Sequence, residues 1–325
     1  MNFKGLATFK SRNIDRVVMF RFRSFFNLRI NSFDFWLSQN RLAKNIFCFL
    51  NGLYSQLRFI LNLRPDIPSM DFNLTTSCSL NCLECASLMP YYSSDNQWTI
   101  SFEQFKVDLT KLLEGANKIY KLKFIGGEPM IVKDLDKMLN YACTKKQIIS
   151  IEITTNSTIV PSENLCSVLK KYKDKVFFSL SDYSDNSSIN SQKLQEITYR
   201  LDQLGVYYYV SNYEWFKIGE LYPRNRKPLE LANVFSECWQ KDCIALMDGK
   251  FHHCTRSIAI QRLSSHSFLS DENIDIRNEN RKSLIKKLNI FFTREFFSAC
   301  DYCEIHSGKR TKRAIQTDQV QKIGL

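Results

Sequence analysis

Three thiols fall within eight consecutive positions, Cys78-Ser79-Leu80-Asn81-Cys82-Leu83-Glu84-Cys85. A loop this short can bring three thiolate donors to one metal centre, and three cysteines suit a cubane iron–sulfur cluster that keeps its fourth iron open for another ligand. A tetrahedral zinc ion is the alternative, but it wants a fourth donor and none lies nearby in sequence. A second set, Cys238, Cys243, Cys254, Cys300 and Cys303, contains a CxxC pair and supplies five candidates for four places around another centre. Cys238, Cys254, Cys300 and Cys303 are the preferred four, Cys243 is the substitute, and structural zinc is again the competing occupant. His252 and His253, next to Cys254, could join such a site, but hairpin surface positions are the simpler expectation.

Composition bounds what surrounds these thiols. Of the 325 residues 44% are apolar and 13% aromatic, which excludes a disordered chain. Eleven cysteines in a chain of this length, without a signal-peptide pattern at Met1, are expected to be reduced cytoplasmic thiols rather than a disulfide scaffold. The net charge of +12 favours anionic partners without choosing among them. Residues 1–68 carry eleven Lys and Arg against three acids, interleaved with Phe. They read as a basic helical extension that packs on the chain's own core or docks on a membrane surface or protein partner.

The elements that must position the first cysteine loop follow from periodicity. Met70 to Leu74 reads as a strand running into the loop; Lys121 to Ile125, Ile149 to Ile153, Val176 to Ser181 and Val206 to Val210 read as four more. Helices are expected between them. Ser101 and Gln104 form a capping-box signature before the stripe Phe105, Leu109, Leu112, Leu113 and Ala116, and further stripes run from Val132 to Ala142, Ser162 to Tyr172 and Leu194 to Leu204. Strand alternating with helix implies a parallel sheet, whose ligand site lies at the carboxyl ends of the strands. The cysteine loop, Gly126-Gly127 and Asn156 all fall at such ends. After residue 215 the alternation stops; Ile244 to Phe251 reads as a hairpin turning at Asp248-Gly249, a helix is expected near 281–297, and the tail from Ser307 reads as polar and frayed. The domain boundaries expected are 1–68, 69–215 and 216–325.

CxxxCxxC after the first strand, with Gly126-Gly127-Glu128-Pro129 after the second, resembles the radical S-adenosylmethionine (radical SAM) superfamily. The resemblance covers roughly residues 70–305. It implies a partial (β/α)6 barrel in which Cys78, Cys82 and Cys85 hold a [4Fe–4S] cluster and S-adenosylmethionine binds the open iron. Gly126, Gly127, Glu128 and Pro129 would line its methionine amino group. Thr155, Asn156, Ser179, Ser181 and Asp182 would contact its methionine and ribose parts, although each residue type is also favoured at caps and turns. The residue before the third cysteine, often aromatic in the family, is Glu84 here, which removes the expected adenine contact; Tyr91 and Tyr92 offer aromatic surface nearby. The run from Cys238 through Cys254 to Cys300-x-x-Cys303 resembles the twitch module, a shortened SPASM domain, which implies one auxiliary [4Fe–4S] cluster.

The chemistry implied is reductive cleavage of S-adenosylmethionine to a 5′-deoxyadenosyl radical that abstracts hydrogen from substrate. The leading expectation is oxidation or epimerisation of a small polar metabolite such as a sugar or sugar nucleotide, its anionic groups drawn by the basic surface, with flavodoxin or ferredoxin as electron donor. Peptide or protein maturation of the SPASM type is the alternative enzyme. A non-enzymatic, metal-stapled nucleic-acid-binding protein has the charge but no recognisable motif, and no nucleic-acid partner is expected.

Overall fold

The computed structural model describes residues 41–186, 189, 192–218, 222–238, 240–264, 272–304 and 308–318; most of the expected N-terminal extension, residues 1–40, lies outside them. Helix α1 (Arg41–Ile60) belongs to that extension and leaves Phe49, Leu50, Leu53, Leu57 and Ile60 exposed. Among the described residues no helix is long and apolar enough to cross a membrane.

Four strand–helix units and a fifth strand follow in order. They are β1 (Ile67–Asn73), α2 (Phe102–Gly115), β2 (Ile119–Ile125), α3 (Leu135–Thr144), β3 (Ile148–Thr155), α4 (Glu163–Lys171), β4 (Val176–Ser181), α5 (Gln192–Leu204) and β5 (Tyr208–Ser211). The helices start where the sequence supplies caps: the Ser101 hydroxyl accepts from Gln104 N at 3.2 Å and the Ser162 hydroxyl from Leu165 N at 3.3 Å. Gln104 does not complete the box, because its side chain donates to Asp108 instead. One helix face is buried in each case; Phe105, Leu109 and Leu112 of α2 pack over Phe72 and Phe124, with the Phe72 and Phe105 rings 4.9 Å apart.

All five strands are parallel, from the β1–β2 register Ile67↔Ile119 out to β4–β5 at Phe178↔Tyr208. A sixth parallel strand comes from the far side of the sequence. Short strand β6 (Trp215–Phe216) and helix α6 (Pro228–Glu237) lead to β7 (Ala245–Met247), which pairs with β1 at Asp71↔Ala245 and Phe72↔Leu246. The sheet order β5-β4-β3-β2-β1-β7-β8-β9 therefore carries the cysteine-rich C-terminal half as a direct extension of the core. The expected hairpin joins β7 to β8 (Lys250–His252), turning at Asp248 and Gly249, both with positive φ (49° and 72°) as a tight two-residue turn requires. Helix α7 (Thr255–Leu263), β9 (Ile274–Asp275) and α8 (Arg281–Phe291) complete this half. Helix α8 lies so close to α2 that a Cβ on Gly115 would sit 2.5 Å from Leu284. The tail is not frayed through its described part: β10 (Arg310–Thr311) pairs with β6.

Candidate active site

The cysteine loop leaves β1 at the carboxyl edge of the sheet and is fastened there by the turn that follows β2. Gly127 N donates to Thr75 O at 2.8 Å and Glu128 N to Ser77 O at 2.9 Å. The two glycines serve this contact: a Cβ on Gly126 would lie 2.4 Å from Thr75 O, and one on Gly127 would lie 2.1 Å from Ser77 O and 3.0 Å from Cys78 Cβ. Their close backbone approach is to the loop that carries the thiols.

Glu128 is fully buried and points across to the end of β3. Its carboxylate accepts from Thr155 Oγ1 (2.7 Å), Asn156 N (2.8 Å) and Met130 N (3.0 Å). Burial pushes its pKa up to about 7 against these three donors. Glu128 and Thr155 thus bond to each other, and together they orient Asn156. The Asn156 Nδ2 lies 3.5 Å from Cys78 Sγ and 3.0 Å from Ser79 Oγ, while its Oδ1 accepts from Thr158. Pro129 opens a short 3-10 turn. Ser179 is buried within β4, Ser181 ends that strand, and Asp182 accepts from Ser184 N at 2.9 Å in an exposed turn.

Cys78, Cys82 and Cys85 are brought together. Burial, with a smaller contribution from charge on neighbouring thiols of the set, pushes the Cys78 and Cys82 thiols up to about 12. Burial raises Cys85 as well, against the amides of Met89, Ser87 and Leu88 that face its sulfur. Negative charge at three mutually repelling, buried sulfurs is expensive unless a cationic centre shares it. Donors already face the sulfurs: Leu80 N lies 3.5 Å from Cys78 Sγ and Gln316 Nε2 3.1 Å from Cys82 Sγ. Among the described residues no three Cys, His, Asp or Glu side chains converge at single-ion distance.

Two residues at this site carry little sequence signal. Tyr183, after β4, has its hydroxyl within electrostatic range of all three thiols and its ring 5.9 Å from Trp215, edge to face. Gln316 comes from the tail. Glu84, in the place of the family's aromatic residue, accepts from Ile218 N at 2.8 Å and ties the loop to the segment after β6. Tyr92 is buried and Tyr91 half-buried in the apolar cluster beside the loop.

The preferred four of the second set, Cys238, Cys254, Cys300 and Cys303, line one small cavity with His253 and Arg256. Cys254 caps α7, its sulfur accepting from Ser257 N at 3.4 Å. The turn bearing Cys300 and Cys303 is buttressed by residues 224–226: the Asp301 carboxylate accepts the backbone N–H groups of Arg224, Asn225 and Arg226, and the Arg226 guanidinium donates to Cys300 O and Cys303 O. Cys243 stands outside this cavity, within electrostatic range of Lys123. His252 and His253 are buried, contrary to the surface placement expected of hairpin residues. His253 stacks on Phe297 at 4.2 Å with Nε2 3.3 Å from Cys254 Sγ, and burial pushes His252 down to about 3.

The sequence model of the Radical SAM superfamily matches residues 72–203, the span from β1 into α5 that carries the cysteine loop, the Gly-Gly-Glu-Pro turn and Asn156. Residues 72–203 match a radical SAM domain. The GTP 3′,8-cyclase of Clostridium botulinum is 33% identical over 100 residues, 30% of this chain and 30% of that protein. That of Clostridium acetobutylicum is 27% identical over 138 residues, 42% of each. The match thus spans less than half the length of these curated relatives. Among solved structures, BtrN in complex with AdoMet and 2-DOIA aligns with a TM-score of 0.44 and 13% identity over 76% of this chain and 96% of that one. Streptococcus suis SuiB bound to precursor peptide SuiA aligns with a TM-score of 0.38 and 16% identity over 51% and 37%. A radical SAM domain implies a [4Fe–4S] cluster and S-adenosylmethionine, and the three-thiol donor set with its sulfur-directed N–H groups fits such a cluster.

Proposed function

We propose that this chain is a radical SAM enzyme that removes a hydrogen atom from a small polar metabolite and carries out its oxidation or epimerisation. The observation that carries the substrate class is the inner face of the sheet. Alternation turns Leu122, Phe124, Ile151 and Ile153 toward the helices, and the opposite face holds Lys121, Lys123, Asp71 and Glu152. Lys123 pairs with Asp71 at 3.1 Å, Lys121 with Glu152 at 3.0 Å, and Tyr209 donates to Glu152 at 3.2 Å. A charge-balanced row of donors and acceptors suits hydroxyl and amino groups of a compact substrate. The likeness to GTP 3′,8-cyclases covers too little of those proteins to carry GTP across as the substrate.

Cys78, Cys82 and Cys85 would hold the cluster, and the ends of β2 to β4 would border S-adenosylmethionine. When bound, the two together supply reductive cleavage of the sulfonium and a 5′-deoxyadenosyl radical for hydrogen abstraction. The chain's own part is orientation. Burial pushes the Lys121 ammonium below its ordinary pKa while Glu152, 3.0 Å away, acts to hold it charged, so the pair is suited to orient the polar groups of a substrate. Cys238, Cys254, Cys300 and Cys303 would hold an auxiliary [4Fe–4S] cluster that accepts the electron.

Anaerobic reconstitution followed by iron analysis and a 5′-deoxyadenosine assay after reduction tests the reading. Cofactor cleavage that persists with Cys78, Cys82 and Cys85 all replaced by alanine would overturn it. Lys121→Met and Glu152→Gln are each expected to lower substrate turnover at least about a hundredfold while leaving substrate-independent cofactor cleavage near wild type.

A further inference from the structure

Residues 314–317 run antiparallel to residues 81–83 of the cysteine loop. Leu83 N donates to Ile315 O at 2.8 Å and Thr317 N to Asn81 O at 2.9 Å, which sets Gln316 opposite Cys82. The Gln316 amide has a defined orientation. Its Oε1 accepts from Asn81 N at 2.8 Å and its Nε2 donates to Ala314 O at 2.7 Å, and only one assignment of oxygen and nitrogen satisfies both partners. So oriented, the NH2 group lies 3.1 Å from Cys82 Sγ. The strap is itself anchored. Ala314 is fully buried, its carbonyl accepts from Asn186 Nδ2 at 2.7 Å, and Arg313 pairs with Asp185 at 2.9 Å. These bonds attach a C-terminal segment, more than 230 residues away in sequence, to the middle cysteine of the loop.

We propose that Gln316 is a positioning residue of the cluster site, fixing the Cys82 side chain through the 314–317 strap and stabilising negative charge on its sulfur. This rests on the reading of Cys78, Cys82 and Cys85 as cluster ligands. A reduced cluster carries one more negative charge than the oxidised one, so a donor to a ligand sulfur favours reduction and raises the potential.

Two measurements test it on the full chain. In the first, reconstituted wild type, Gln316→Leu and Gln316→Glu are titrated electrochemically with the reduced cluster followed by its electron paramagnetic resonance signal. Both variants are expected at more negative potential, Gln316→Glu further than Gln316→Leu because it places an oxygen where the NH2 stood. A potential unchanged in both overturns the proposal. The second needs no cluster and decides the case if a variant takes up no iron. In the apo protein, hydrogen exchange at the Asn81 and Leu83 amides is expected to accelerate at least about tenfold when the chain is ended at Lys312; equal protection in both forms overturns the proposal. Neither readout depends on cofactor cleavage, so absence of 5′-deoxyadenosine from wild type would strike the proposed reaction and leave this inference to its own test.

Discussion

Glu128 shows how one carboxylate holds a site together without belonging to its reacting groups. It collects three donors from two strand ends, and its burial outweighs them, leaving a folded pKa of about 7 against an ordinary value of 4.5. The folded protein therefore binds this proton more tightly than the unfolded chain does. Stability from this group is fully present below about pH 4.5 and falls as pH rises to about 7, by roughly 3 kcal/mol across the window. Urea denaturation of the apo protein from pH 4.5 to 8 is expected to show that decline. Glu128→Gln should remove this contribution to the slope while lowering stability at acid pH, since its NH2 group faces a donor. An identical pH profile in the variant would show that Glu128 does not titrate in this range.

At the scale of elements, the site is a matter of close approaches between strand ends. Gly127→Ala would drive a Cβ into Ser77 O and against Cys78 Cβ, whereas Gly205, after α5, has nothing within 4 Å and only its φ of +64° to oppose a side chain. Gly127→Ala is expected to cost about 3 kcal/mol and to abolish cluster uptake, and Gly205→Ala about 1 kcal/mol with uptake intact. Arg277 makes a comparable joint between α2 and the hairpin, donating to the buried Asp108 carboxylate at 2.7 and 2.9 Å and to Asp248 at 3.0 Å. Arg277→Ala leaves that carboxylate buried without its cation, with Gln104 Nε2 still donating to it, and should cost about 3 kcal/mol in denaturant unfolding. The strands and helices between β1 and β5 were legible because each announces itself locally, by an apolar run or a stripe with its cap, whereas α6, α7 and the short strands β6, β9 and β10 of the C-terminal half were not read from the sequence. What was not legible depends on distant partners: β7 joins β1 over two residue pairs, Gln316 sits in a polar tail, and His253 is buried by Phe297, a residue more than forty positions later.

Over the whole molecule, the two thiol sets share one apolar cluster. Leu88, Met89 and Tyr92 from the exit of the cysteine loop meet Ile218, Ala259, Ile260, Ala299 and Tyr302, with Cys78 and Cys85 packed on it from one set and Cys238 and Cys303 from the other. The β1–β7 pairing holds the two halves in register. Closely packed apolar contact of this kind joins the two sets of thiols directly. If Cys238, Cys254, Cys300 and Cys303 hold a cubane, the reconstituted protein carries about eight irons per chain. Replacing Cys300 and Cys303 by alanine should then bring the count to about four, retain 5′-deoxyadenosine formation and lose oxidised product, so that the ratio of deoxyadenosine to product rises at least about tenfold. Epimerisation needs no such acceptor, and a ratio unchanged in the variant would favour it over oxidation. Four irons and one zinc in the wild type would replace the auxiliary cluster with a structural metal, and the shared apolar cluster would then serve packing alone.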